Sequence, residues 1–165
     1  MIDGQQRLTT LQIILAAAAN VCAALGAMDE AEIIRELVRN NPKKVSGVEL
    51  FKVWPTNANR SAFQAVMSDG GPPPEREDDP SNRIDEVYAY FDGAIREWAS
   101  EVEEDEREAR LKLLRITLCD LLKVVSITLE AEDNAQVIFE TLNARGAPLL
   151  ALDLVKNAVF LEAAK

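Results

Sequence analysis

The chain has 165 residues, which is enough for one domain with its own hydrophobic core. Hydrophobic residues make up 48% of the chain, a share that excludes a disordered polymer despite the formal net charge of −10. Histidine is absent, which excludes serine–histidine and cysteine–histidine catalysis and any histidine-ligated zinc within this chain. Hydrolytic chemistry here would need carboxylates, amides, lysine and arginine.

The negative charge is concentrated in one segment. Residues 69–108 hold 15 acidic and 4 basic side chains, whereas the other 125 residues hold 13 acidic and 14 basic ones. A DNA-facing surface elsewhere is therefore not excluded, although no basic stripe argues for one. We interpret the acidic runs at 75–79 and 101–108 as solvated surface, with a partner-docking tail as the alternative.

Cysteine usage and hydropathy bear on the compartment. No apolar run reaches the ~18 residues that span a bilayer, and no basic region precedes the apolar stretch at 11–25. Cys22 and Cys119 both lie within apolar helical patterns. We therefore predict a cytoplasmic protein without membrane contact, whose two cysteines are reduced core residues and bind no metal.

Helical spacing of apolar residues dominates the first part of the chain. The first predicted helix has one apolar stripe over five turns and ends near Gly26. The second covers about Asp29 to Arg39 and ends at the sequence Asn40-Asn41-Pro42. The residues predicted to face inward are Leu8, Leu11, Leu15, Ala18, Cys22 and Leu25 in the first helix, and Ile33, Ile34, Leu37 and Val38 in the second.

Two segments have features of β-strands. Val48–Trp54 alternates weakly and is closed by Pro55, and Lys123–Leu129 is rich in β-branched residues. Between them we predict a short helix that ends at Met67 and a mobile acidic Pro/Gly loop over 69–80. Two helical stripes follow that loop, Ile84, Val87, Tyr88, Phe91, Ile95 and Trp98 in one helix, and Leu111, Leu114, Leu118 and Leu121 in the next.

The last part of the chain also has helical spacing. One helix is predicted through Val137, Ile138 and Leu142, and a final one from about Leu152. The whole pattern predicts a single, mainly α, bundle-like domain over residues 1–165 with one or two short β-strands, the α+β remnant of a larger domain.

The start of the first helix is the main candidate site. Asp3 as N-cap and Gln6 three residues later make a variant of the capping box, which explains these two residues without any function. Capping does not explain why Gln5, Arg7 and Thr10 crowd the same turns. A helix N-terminus exposes free N–H groups that suit an anion, and Arg7 adds a bidentate fork for phosphate.

Two further polar groups lie near the other end of the chain. The first flanks a tight turn and the second shares one face of the last predicted helix. Their members are Asn143, Arg145 and Gly146, and then Asp153, Lys156 and Asn157. The alternatives are a glycine-terminated helix for the first group and an exposed intrahelical ion pair for the second.

Two strings resemble a known family. IDGQQRLTTL at 2–11 and VIFETLNARGAPLLALDLVKN at 137–157 are similar to the N-terminal domain of GmrSD-type restriction endonucleases, which is related to the ParB/sulfiredoxin-like fold. The order and the separation of the two strings also match. Residues 40–122 carry no diagnostic string.

The resemblance implies a role in DNA defence. In this family the DGQQR domain is tied to nucleotide binding and hydrolysis, and a separate histidine-containing nuclease domain cuts modified DNA. The implied catalytic candidates are Asp3, Gln5, Gln6 and Arg7. The candidates for binding an NTP with Mg²⁺ are Gly4, Arg7, Thr10, Asn143, Arg145, Gly146, Lys156 and Asn157. No protein ligand to a metal is predicted.

The chain departs from the family pattern in two ways. It shows neither the β-rich segment that precedes DGQQR in the family nor the nuclease domain. We therefore expect the helical portion of a longer domain, inactive on its own, with an exposed docking face that could self-associate. Modified DNA, reached through the full-length protein, and a nuclease domain or subunit are the implied partners. The alternative function is a non-enzymatic helical module that binds DNA or a partner and positions a nuclease.

Overall fold

The computed structural model describes residues 2–55, 60–72 and 83–124, with residues 2–5 as backbone only. Except for Val124, these residues belong to one compact unit, Ile2–Lys123. The described residues form five α-helices, α1 (Ile2–Ala24), α2 (Met28–Val38), α3 (Arg60–Val66), α4 (Arg83–Ser100) and α5 (Glu104–Ile116). The prediction of a mainly α fold is confirmed, whereas a single domain over 1–165 stays a prediction.

Helix α1 is the central helix because its middle turns are buried on every side. From Gln12 to Cys22 each residue is buried except Ile14, which is half-buried. The helix packs mainly against α2 and α4. The predicted single stripe was therefore too narrow for these turns. It was also too long at its start, since Leu8 is exposed.

The stretch Gln6–Ala24 of α1 is long and apolar enough to cross a membrane by length and composition, with a mean hydropathy of 1.4. The core helix of a globular domain passes the same test, and 56% of this stretch is buried inside the protein. Gln12 and Asn20 lie on buried positions and donate hydrogen bonds to neighbouring segments. These features favour a core helix, because buried amides need partners that lipid does not supply.

The predicted end of the first helix is confirmed. Gly26 has a φ of +88°, the left-handed conformation that glycine adopts without a steric penalty. The N–H of Gly26 donates to the carbonyl of Ala23 at 3.2 Å, and the N–H of Ala27 donates to that of Cys22 at 2.9 Å. This pair of hydrogen bonds is the Schellman motif, which turns the chain back towards α2.

Helix α2 buries a narrower face than the sequence predicts. Ala31, Ile34 and Val38 are buried at spacings of three and four, whereas Ile33 and Leu37 are exposed. The prediction that all four branched residues face inward was wrong for those two. This narrow stripe is the face through which α2 packs into the core against α1.

The predicted strand at Val48–Trp54 is not a strand. Gly47–Leu50 forms a 3-10 turn, and Phe51 makes a single antiparallel bridge with Arg39. The aromatic residues explain the difference, because Phe51 stacks on Trp54 at 5.2 Å and meets Phe63 of α3 edge-on at 6.2 Å. Both apolar side chains therefore face α3 and do not alternate between the two faces of a strand. The second predicted strand, Lys123–Leu129, lies outside the described residues except for its first two positions.

Helices α4 and α5 follow their predicted stripes except at one end. Ile84, Tyr88 and Ile95 of α4 and Leu111 of α5 are buried. Leu121 is exposed, because residues 117–121 form a π-helical turn. The wider turn shifts the side-chain register away from the stripe that a continuous α-helix would give.

Candidate functional site

The DGQQR motif lies wholly inside the first two turns of α1. The helix begins at Ile2, so Asp3 is its second residue, and the prediction that Asp3 is the N-cap was wrong. Ile2 already has helical geometry, so a carboxylate one residue later can still favour the positive end of the helix dipole without capping it. Spacings of three and four residues place Asp3, Gln6, Arg7 and Thr10 along one face of the helix.

The described side chains of this motif face solvent. Gln6, Arg7 and Thr10 are all exposed. The hydroxyl of Thr10 donates to the backbone carbonyl of Gln6 at 3.0 Å, so its proton is used within the helix and only its lone pairs remain to accept. An exposed guanidinium beside an amide at the N-terminal end of a helix can bind an anion such as a phosphate.

The rest of the predicted site lies outside what the structure describes. This holds for the side chains of Asp3 and Gln5, which flank the backbone of Gly4, and for every predicted residue near the other end of the chain. Those residues are Asn143, Arg145, Gly146, Asp153, Lys156 and Asn157. Their convergence with the start of α1 stays a prediction.

Asn20 is a structural residue that the sequence analysis did not single out. Its side-chain nitrogen donates to the hydroxyl oxygen of Tyr88 at 2.9 Å and to the carbonyl of Ser68 at 3.2 Å. Its side-chain oxygen accepts the backbone N–H of Gly70 at 3.2 Å. One buried amide therefore joins α1, α4 and the turn after α3, and burial raises the pKa of Tyr88. An asparagine amid apolar residues of a helix was the signal that could have found it.

The turn after α3 is held in a defined conformation. The carbonyl of Ser68, already paired with Asn20, also accepts the N–H of Gly71 at 3.0 Å. Gly70 and Gly71 both have positive φ, and Gly71 lies against the ring and hydroxyl of Tyr88, which leaves no room for a β-carbon. The side chain of Asp69 therefore projects from a fixed backbone.

Asp69 meets Arg35 of α2 and Arg39, the residue that follows the helix. Its carboxylate lies 3.2 Å from Nε of Arg35 and 3.4 Å from Nη1 of Arg39. The arginine side chains are 25% and 22% exposed, whereas that of Asp69 is 69% exposed. Both arginines border a shallow depression whose floor includes Ala16 and Ala19. Two guanidiniums that share one carboxylate keep a net positive charge, so this group can attract a second anion. Two arginines four apart on a predicted helix were the overlooked signal.

Gln12 presents a different kind of polar contact. Its side-chain nitrogen donates to the carbonyl of Leu37 at 3.2 Å, near the C-terminal end of α2. Its side-chain oxygen is buried and has no hydrogen-bond partner among the described residues. Gln12 thus satisfies one terminal carbonyl of a neighbouring helix at the expense of its own acceptor.

The cysteines do not form a reactive pair. Both are free, and Cys22 is fully buried. Burial raises the pKa of Cys22 to about 11 and also raises the pKa of Cys119 above its usual value. Both sulfurs are thus protonated near neutral pH, which is typical of structural thiols. In the part of the chain that the structure describes, no three His, Cys, Asp or Glu side chains are grouped to hold a metal ion.

The fold and the motif define a helical domain whose first helix carries an exposed polar face at its start. A family model described as "GmrSD restriction endonuclease, N-terminal domain" matches residues 1–160. The chain therefore belongs to this family of restriction proteins, which serve in defence against phage. Comparisons with curated proteins and with solved structures gave no match.

Proposed function

We propose that this chain is the nucleotide-binding module of a modification-dependent DNA restriction protein. The observation that carries the proposal is the exposed Arg7, beside Gln6 in the DGQQR motif on the first turns of α1, in a chain of this family. Helix N–H groups and the guanidinium offer hydrogen bonds to phosphate oxygens, and the amides of the motif offer both donors and acceptors.

In this proposal each residue of the motif has a role that follows from the chemistry of its side chain. Arg7 binds a phosphate of the nucleotide and stabilises negative charge on it. Gln5 and Gln6 orient the phosphate or an attacking water, and Asp3 accepts a proton. The family resemblance adds Asn143, Arg145, Gly146, Lys156 and Asn157 as further candidates for nucleotide binding.

The test is calorimetric titration of the 165-residue chain with ATP and with GTP in the presence of Mg²⁺. We expect one of the two to bind, and Arg7→Ala to weaken that binding by about tenfold or more. Lys112→Ala is the control, because it removes one exposed positive charge from α5. No heat of binding with either nucleotide, or equal affinity for Arg7→Ala and Lys112→Ala, would contradict the proposal.

A second candidate function is a helical module that binds DNA without hydrolysing nucleotide. The observation in its favour is the pair Arg35 and Arg39, which carries more positive charge than Asp69 neutralises. Calorimetric titration of the 165-residue chain with nucleotide and with modified DNA separates the two functions. The nucleotide-binding module binds ATP or GTP, whereas a purely DNA-binding module binds the DNA and neither nucleotide.

A further inference from the structure

Positive charge is concentrated between the end of α2 and the start of α3. Residues 35–60, here called the basic segment, hold six of the chain's 18 basic side chains and two of its 28 acidic ones. The chain as a whole has a net charge of −10, so the basic segment has the opposite sign. Its basic residues are Arg35, Arg39, Lys43, Lys44, Lys52 and Arg60. Arg35 lies in α2 and the other five basic residues follow the end of that helix, so a search for a basic stripe along one helix misses the group.

Backbone contacts fold the basic segment back on the end of α2. The N–H of Asn40 donates to the carbonyl of Leu50 at 2.8 Å, and the N–H of Lys52 donates to that of Val38 at 3.2 Å. The side chain of Asn40 also donates to the carbonyl of Glu49 at 2.8 Å. These bonds bring Lys52 next to the end of α2, where Arg39 lies. Lys52 and Arg39 therefore lie close together, although they are 13 positions apart in the sequence.

The ion pairs of Asp69 are weak enough to be replaced. Charge-assisted hydrogen bonds between nitrogen and oxygen are about 2.7–2.9 Å long, whereas the ion pair of Arg35 with Asp69 measures 3.2 Å and the hydrogen bond from Arg39 to Asp69 measures 3.4 Å. The carboxylate is mostly exposed, and ion pairs of exposed carboxylates contribute little to stability. The single negative charge of the Asp69 carboxylate thus balances only one of the two guanidinium charges. Its place between the two arginines also suits a phosphate oxygen.

We propose that the basic segment binds the phosphodiester backbone of duplex DNA, and that one backbone phosphate replaces Asp69 on Arg35 and Arg39. The proposal rests on the DNA-binding part of the proposed function and names the surface that performs it. A polyanion fits better than a single nucleotide for two reasons. Lys43, Lys44 and Lys52 are exposed and extend the positive charge away from the arginines. The depression beside the arginines is lined by Ala16, Ala19, Asn20, Val38 and Met67, and none of these described residues has an aromatic ring on which a base could stack.

The proposal is tested by fluorescence anisotropy of a labelled, unmodified DNA duplex with the 165-residue chain over a series of salt concentrations. Asp69→Asn removes the competing negative charge, so we expect it to bind the duplex several-fold more tightly. Arg35→Gln with Arg39→Gln is expected to weaken binding by tenfold or more at low salt. Lys43→Gln with Lys44→Gln is expected to reduce the slope of log K against log salt by about 0.9 for each lost phosphate contact.

The matched control is Arg107→Gln with Lys112→Gln, which removes two positive charges from α5. Thermal unfolding establishes that every variant is folded before its affinity is interpreted. The proposal is overturned if the Arg35 and Arg39 variant binds the duplex as well as the control does. It is also overturned if Asp69→Asn binds inorganic triphosphate more tightly and the duplex no more tightly, because the site would then take small anions.

The outcome is independent of the nucleotide site. Arg7 lies on α1, outside the basic segment, and Arg7→Ala is expected to retain the duplex affinity of the unaltered chain. A chain that binds duplex through Arg35 and Arg39 but binds no nucleotide would refute the nucleotide proposal and leave this one standing. The reverse result would refute this one alone.

Discussion

The two parts of helix α1 use polar residues in opposite ways. At its start, Gln6, Arg7 and Thr10 are exposed. Five and thirteen residues after Arg7, Gln12 and Asn20 are buried and donate hydrogen bonds to other segments of the protein. Within about two turns of the same helix, the side chains thus change from an exposed polar surface to the buried core.

The comparison shows that the polarity of a side chain does not reveal its role. The donors and acceptors of a buried amide need hydrogen-bond partners within the protein, because each buried polar atom without a partner costs about 1–3 kcal/mol. An exposed amide or guanidinium exchanges water for a ligand at little cost. Residues at the start of α1 should therefore govern binding with little effect on stability, and those further along should do the reverse.

The largest expected effect tests the buried part. Asn20→Ala removes the partners of the Tyr88 hydroxyl, the Ser68 carbonyl and the Gly70 N–H and leaves a cavity. We expect the free energy of unfolding to fall by about 3–4 kcal/mol. Urea denaturation followed by circular dichroism measures it. Tyr88→Phe, which loses one of these bonds, should cost about 1 kcal/mol. Similar costs for the two variants would contradict a shared role of the amide.

A smaller effect is expected in the turn that Asn20 holds. Gly71→Ala places a β-carbon against the hydroxyl of Tyr88 and at a φ of +80°, so the free energy of unfolding should fall by about 2–3 kcal/mol. Gly70→Ala is the matched control, with a φ of +84° and open space around the new atom, and should cost about 1 kcal/mol. Urea denaturation of the two variants isolates the contact with Tyr88. Equal costs would mean that Tyr88 moves aside freely.

The sequence predicted this core better than it predicted the surface. Apolar spacing located α1, α2, α4 and α5, and Gly26 marked the end of α1, because periodic burial and a left-handed glycine are local properties. The strand at Val48–Trp54 was wrong because the contacts of Phe51 and Trp54 with Phe63 are tertiary. The prediction that Ile33 and Leu37 face inward was wrong for a similar reason, since the width of the buried face of α2 depends on its tertiary packing.

The candidate site divides in the same manner. The motif at the start of α1 was recognisable because its residues are contiguous. The group of Arg35, Arg39 and Asp69 joins positions about 30 residues apart through a turn that Asn20 fixes, and no local pattern specifies such a contact. Spacing on the helix brings the two arginines together, but only the fold supplies their carboxylate.

The smallest expected effect concerns Gln12, where the two parts of α1 meet. Its side-chain oxygen is buried with no partner among the described residues, so the amide already bears a desolvation cost that a leucine would not. Gln12→Leu keeps most of the volume and loses one hydrogen bond to the carbonyl of Leu37. We therefore expect the free energy of unfolding to change by less than about 1 kcal/mol in either direction.

The same variant tests whether Gln12 belongs to the buried core part of α1 or to the exposed binding surface at its start. If Gln12 belongs to the core, Gln12→Leu retains the nucleotide affinity that Arg7→Ala loses, although Gln12 lies two turns from Gln5 on the same helix face. Urea denaturation and calorimetric titration of one preparation measure both quantities. A loss of nucleotide affinity with unchanged stability would mean that the binding surface extends beyond the DGQQR motif. The exposed, ligand-binding part of α1 would then be more than one turn longer than its exposed residues indicate.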